Sequence, residues 1–168
     1  MDGNIAEFNK YIEMKEFKGN WFFYDKDIGI PDKDITRIKP LSTGYCNYLW
    51  DEYISRRKKH LMLIDSNEWK SLIQNDIIIY NFEQDWNNNN YIGLQEVLTK
   101  FVPFNDDNTI FFFWGRNSGI ETTWEVFLKY WINFLFDDEG PVLINPDSDI
   151  IIVFGPTGNV IKGERSIK

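Results

Sequence analysis

The chain has 168 residues, the size of one domain, and 17% of them are aromatic: seven Trp, eight Tyr and fourteen Phe. That content excludes a disordered chain, and a domain of this length buries roughly 70% of its unfolded surface without a disulfide or metal staple. Eighteen basic residues against 26 acidic ones leave a net charge of −8, which repels nucleic acid and anionic membranes and attracts a basic protein. Cys46 is the only cysteine, so an internal disulfide and a thiolate zinc cluster are both ruled out. Residues 1–17 mix acidic, apolar and basic side chains and lack the apolar core of a secretory signal. No apolar run approaches the roughly 20 residues of a membrane span. The expected protein is cytoplasmic, and its residues call for no cofactor.

Taken in chain order, Phe8, Tyr11 and Ile12 have helical spacing and predict a first helix over 7–17, within an N-terminal extension of residues 1–18. Gly19 and Asn20 break it, and the aromatic run Trp21, Phe22, Phe23 and Tyr24 predicts a strand. Pro31 opens a short helix over 32–38, which Pro40 stops. Ser42 is the expected N-cap of a helix reaching Lys58, with Tyr45, Leu49, Trp50, Tyr53 and Ile54 inward. Asp65 or Ser66 starts a further short helix, Ile77 to Tyr80 is a β-branched strand, and Asn90 is the expected cap of a helix over 91–101.

The second half is more sharply patterned. The apolar run 109–114 predicts a strand, followed by a helix over 122–135. In that helix Trp124, Phe127, Leu128, Trp131 and Leu135 form one apolar stripe, and Thr122 and Glu125 have capping-box spacing. Three strands follow, over 142–145, 150–154 and 159–162, joined by turns at 146–149 and 155–158. The predicted fold class is α+β: a single domain whose antiparallel sheet ends in a C-terminal β-meander packed against several helices. Trp124 and Trp131 are expected in the core, and Trp86, beside the run Asn87 to Asn90, is expected at the surface.

Catalytic patterns are weak. Cys46 would need a nearby base, and His60, the only histidine, lies about four helical turns away, so a packed thiol is the better interpretation. A Ser-His-Asp triad through His60 has no Gly-x-Ser-x-Gly elbow. Asp25, Asp27, Asp32 and Asp34 suggest a calcium loop, but the glycine and glutamate positions counted from Asp25 hold Ile30 and Thr36. Arg56, Arg57, Lys58 and Lys59 suit a helix C-terminus, and the turn 155–158 lacks the ending of a phosphate loop. No metal ligands are expected. The segment 115–124 is the most pointed: Arg116 and Glu121 lie in a loop just before a helix N-terminus, where a ligand or a structural salt bridge would each fit.

The residues Trp21, Phe22 and Phe23, then Ile38, Lys39 and Pro40, Leu49 and Trp50, and above all Glu121-Thr122-Thr123-Trp124-Glu125-Val126-Phe127, resemble a bacterial family of unknown function. Trp131 to Leu135 and Asp138 to Pro141 extend the resemblance over about 20–164. It implies a bacterial source and assigns no activity. By size, acidity and aromatic content the chain also resembles, in general type, the immunity proteins of interbacterial toxin systems. That likeness implies a non-catalytic module that neutralises a basic toxin domain. The expected contact residues are Asp106, Asp107, Arg116, Glu121, Asp137, Asp138, Glu139 and Trp86. A small-molecule-binding protein or small enzyme built on the Arg116–Glu121 loop is the alternative, and a self-assembling structural protein is a third.

Overall fold

The computed structural model describes residues 9–56, 65–136 and 140–166. In chain order its helices are α1 (Asp32–Ile35), α2 (Thr43–Tyr53), α3 (Ser66–Leu72), α4 (Glu83–Asn87), α5 (Gly93–Phe101) and α6 (Trp124–Phe134). The strands are β1 (Lys39–Pro40), β2 (Ile73–Asn81), β3 (Thr109–Gly115), β4 (Ser118–Thr123), β5 (Val142–Ile144), β6 (Ile150–Phe154) and β7 (Asn159–Arg165). They make one sheet in the order β1-β4-β3-β5-β6-β7-β2, antiparallel at every junction. The fold is therefore the predicted α+β class, and β5, β6 and β7 are the predicted meander.

Side chains alternate across a strand, so a strand with both faces covered must be apolar at every position. That is why β3 reads Ile-Phe-Phe-Phe without a break. Ile110 and Phe112 join Ile120, Leu143, Ile152 and Phe154 against Trp124, Phe127 and Trp131 of α6 and Leu94 and Leu98 of α5. Phe111 and Phe113 face the opposite way, with Val142, Ile144, Ile151 and Val153, and pack on Cys46, Leu49 and Trp50 of α2. The result is helix, sheet and helix in three layers. Each buried side chain of this size contributes roughly 1.5–3 kcal/mol, so both layers matter.

Among the described residues, three of the six helices, α2, α3 and α6, start at a side-chain cap. Ser42 accepts a hydrogen bond from the Tyr45 amide at 3.3 Å, and Asp65, not Ser66, caps α3 through the amides of Asn67 and Glu68. The start of α6 differs from expectation. Thr122 pairs with Ile110 inside β4, and Thr123 takes the cap, accepting from the Val126 amide at 3.4 Å. Because β4 runs on to Thr123, the capping-box reading of Thr122 and Glu125 is displaced by one residue. The helix α2 ends at Tyr53, short of the expected Lys58, and residues 57–64 lie outside the described residues. The helix α5 starts at Gly93 with Ile92 at its cap position, while Asn90 accepts only from the Ile92 amide, at 3.3 Å.

Two N-terminal expectations are overturned. Tyr11 makes an antiparallel bridge with Leu41, and only Met14–Glu16 forms a single 3-10 turn, so the described part of 7–17 is not an α-helix. The aromatic run 21–24 is not a strand either, for Asn20–Phe22 is a second 3-10 turn. Trp21 and Tyr24 face outward while Phe22 and Phe23 face inward, a pattern with no two-residue alternation. The side-chain amide of Asn133, buried on α6, fixes this segment by donating to the carbonyls of Phe22 (2.7 Å) and Ile28 (2.6 Å).

The short helix α1 is tied to α6 by charge. The buried Asp34 carboxylate accepts from the Tyr130 hydroxyl and lies 3.5 Å from the Lys129 ammonium and 3.7 Å from the Arg37 guanidinium. The Tyr130 hydrogen bond, helped by Lys129, holds this carboxyl below its ordinary pKa against the upward push of burial. A depressed carboxylate pKa stabilises the fold above the unfolded value, and that contribution disappears as pH falls through the folded value.

Two measurements follow. Asn133→Ala leaves two carbonyls without their donor and is expected to cost about 2–3 kcal/mol in urea unfolding, with the slope unchanged. Asp34→Asn is expected to cost about 2 kcal/mol at neutral pH, and its difference from the parent protein is expected to shrink below about pH 4. A pH-independent difference between the two would show that Asp34 acts by shape and not by charge.

Candidate functional site

The hairpin that carries Arg116 and Glu121 is a scaffold and not a loop before a helix. Gly115 pairs with Ser118, leaving Arg116 and Asn117 as its two-residue turn, and Glu121 lies opposite Phe111 in the sheet. Cross-strand partners share a face, so Glu121 lies on the α2 side with Phe111, and Arg116 reaches the same side through Asp51 of α2. They do not meet there. Arg116 makes a two-pronged pair with Asp51 of α2, at 2.9 Å and 2.8 Å, which raises the pKa of its guanidinium. Glu121 accepts from the Tyr11 hydroxyl at 2.7 Å and lies 3.7 Å from the Lys39 ammonium, and burial with this carboxylate pushes the Tyr11 pKa up. Each residue is consumed by holding one neighbouring segment to the sheet.

Asp106 and Asp107 form the exposed turn before β3, where the Asp106 carbonyl accepts from the Glu125 amide at 3.0 Å in the first turn of α6. Asp137, Asp138 and Glu139 lie outside the described residues, as does His60. Cys46 is fully buried, and that burial raises its thiol pKa to about 12, which leaves no thiolate for nucleophilic chemistry. Among the described residues, no group of three or more His, Cys, Asp or Glu gathers as a metal centre would.

Two concave regions stand out among the described residues. The larger, about 960 Å³, lies on the α2 side, between Asp51 to Arg56, Ser71 and Leu72 of α3, the β5–β6 turn and Arg165. It is polar, and the half-buried Arg165 in its wall is already tethered. The Arg165 guanidinium donates to the carbonyls of Asn145 (3.3 Å) and Ser148 and lies 5.0 Å from the Tyr53 ring centre. Burial lowers the pKa of Arg165, with Tyr53 and Asp149 opposing.

The smaller region, about 230 Å³, belongs to an aromatic strip across the other side of the sheet. Trp21 is 51% exposed and Phe136 is 43% exposed, and their rings meet edge to face at 5.1 Å. The Phe136 ring lies 5.9 Å from that of Trp86. Trp86 was expected to be the exposed tryptophan; it is half-buried against Trp131, 6.3 Å away, and Trp21 takes the exposed position. Large contiguous apolar patches are uncommon on a monomer surface, which makes this strip the candidate site.

The strip is held rigidly. Trp86 belongs to α4, which sequence periodicity does not reveal because the helix has only five residues. The preceding residue, Asp85, is buried and accepts from the Tyr80 hydroxyl at 2.7 Å and the Asn90 side chain at 3.4 Å. Burial, then this hydrogen bond, raises the Tyr80 pKa to about 12. A Cβ at Gly93 would lie 2.5 Å from both the Asp85 carboxylate and the Tyr80 oxygen, so a larger residue there would have to displace this pair. On the far side, the Trp131 indole donates to the Tyr91 carbonyl at 3.0 Å.

Fold and site together define an acidic, three-layer α+β domain with an exposed aromatic strip on one side and a polar cleft on the other. The chain belongs to the family described as a protein of unknown function (DUF2947), which matches residues 11–163. The match begins ahead of the resemblance seen in the sequence and takes in Tyr11, the residue that contacts Glu121. No curated protein and no solved structure matches the chain.

Arg116→Ala is expected to cost about 1 kcal/mol of stability by releasing Asp51, a partly exposed pair. Asp51→Asn should cost a similar amount, and the double variant less than the sum of the two. Strict additivity in thermal or urea unfolding would show that the pair contributes nothing.

Proposed function

We propose that this domain is a non-catalytic protein-binding module that captures and neutralises a basic toxin domain in the bacterial cytoplasm. The observation that carries this reading is the Trp21–Phe136–Trp86 strip on a domain of net charge −8. Aromatic side chains are enriched among the anchors of protein interfaces, because one ring buries much area with little loss of conformational freedom. The acidic field adds long-range attraction for a cationic partner and sets the association rate. Among the described residues no helix is long and apolar enough to cross a membrane, which is compatible with that compartment. Asp106 and Asp107, and the run Asp137 to Glu139 that follows Phe136 in the chain, supply the charge in this reading.

The small-ligand alternative rests on the polar cleft and not on Arg116 with Glu121, because its volume of about 960 Å³ falls within the range of ligand sites. A metabolite panel that leaves the thermal unfolding midpoint unchanged would remove it.

The binding reading is tested with the tagged protein as bait in lysate of its native host at low salt, followed by titration of the purified partner. A basic partner is expected, with an association rate that falls steeply with salt. Replacing Trp21 and Phe136 by Ser together should weaken binding at least about ten-fold, equal to about 1.4 kcal/mol, with little change in stability. An unaltered affinity in that double variant would remove the strip from the interface. An acidic partner would overturn the charge argument.

A further inference from the structure

The small cavity beside the aromatic strip has a composition that selects its occupant. Trp86 and Phe136 form two walls at an interplanar angle of 60°, and Leu135 and Pro156 extend the apolar lining. Glu83 and Asn87 supply the polar edge. At about 230 Å³ it lies below the roughly 300–1,000 Å³ of sites for whole small ligands, so it suits one side chain. Its shape is set in advance by Asp85 and by Gly158, whose positive φ of 85° turns the chain between β6 and β7 close against Glu83.

Glu83 is the discriminating group. It is exposed, its backbone amide donates to the Asn81 side chain at 3.0 Å, and no Lys or Arg among the described residues pairs with its carboxylate. An aliphatic or aromatic occupant would offer that carboxylate no partner. A cation would satisfy the carboxylate and also lie against the electron-rich face of Trp86. A planar guanidinium does both at once, stacking on a ring while presenting paired N–H donors to the acid, which a compact ammonium cannot match.

We infer that this cavity receives the side chain of an arginine presented by the basic protein partner, with the guanidinium stacking on the Trp86 ring beside the edge of Phe136 and pairing with Glu83. The inference rests on the protein-binding reading and names the chemistry of its anchor.

The test uses the full chain alone. Nα-acetyl-arginine methylamide is titrated while the indole N–H signal of Trp86, assigned with Trp86→Phe, is followed by NMR. Its neutral isostere, Nα-acetyl-citrulline methylamide, is titrated in parallel. A saturable shift with a millimolar dissociation constant is expected for the arginine compound. Binding should be at least about three-fold weaker for citrulline and for the surface variant Glu83→Gln. Equal binding of the two compounds, indifference to Glu83→Gln, or no saturable shift with the arginine compound would each overturn the inference. The protein-binding reading fails separately, through the Trp21 and Phe136 double variant measured against the captured partner.

Discussion

Burial of β3 on both faces is the constraint on which the rest of the structure depends. Three successive phenylalanines cannot share one side of a pleated sheet, so Phe112 feeds the layer under α6 while Phe111 and Phe113 feed the layer under α2. Once both faces must be covered, neither helical layer is optional. On the β5 side of β3 the sheet stays apolar on both faces, with Val-Leu-Ile in β5 and Ile-Ile-Ile-Val-Phe in β6. Polar residues enter the sheet on β4 and its turn, where Glu121 and Arg116 fasten Tyr11 and Asp51.

The same economy explains the aromatic strip. The α6 layer has more rings than its interior holds. Phe134 and Trp114 stack inside it, while Phe136, two residues further on, emerges to meet Trp21 and Trp86. Those rings are anchored from behind by buried polar contacts: Asn133 to the backbone of the Trp21 turn, and Asp85 to Tyr80 below α4. A surface prepared in this way loses little freedom when a partner arrives, which favours association.

Legibility in the sequence followed the number of faces each segment buries. The central strands and α6 carry long, unbroken patterns, so their class and order were readable, and Trp124 and Trp131 were correctly expected in the core. Segments that bury by aromatic wedging were not. The run 21–24 has strand-like composition, yet with no neighbouring strand to pair with it coils into a 3-10 turn. The strand β4 is hard to read in the sequence because its positions on the α2 side are Gly119, Glu121 and Thr123, which resemble a polar loop. The candidate site was legible only in part. Trp86 was singled out from its polar neighbours, but its contact with Phe136 spans 50 residues of chain and leaves no local periodicity.

The strand order has a consequence for how the chain reaches this state. Strands β3 to β7 all come from residues 109–165, whereas β1 and β2, from the first half, attach to the two ends of the sheet, on β4 and β7. During synthesis the first half therefore leaves the ribosome before the strands that it must join exist. Its exposed Ile77 and Ile78, still at the surface of the finished domain, must wait for Lys162 and Ile161 of β7. Closure of the outermost pairs spans the greatest chain separations and so comes at the end, as a clasp set over an assembled centre.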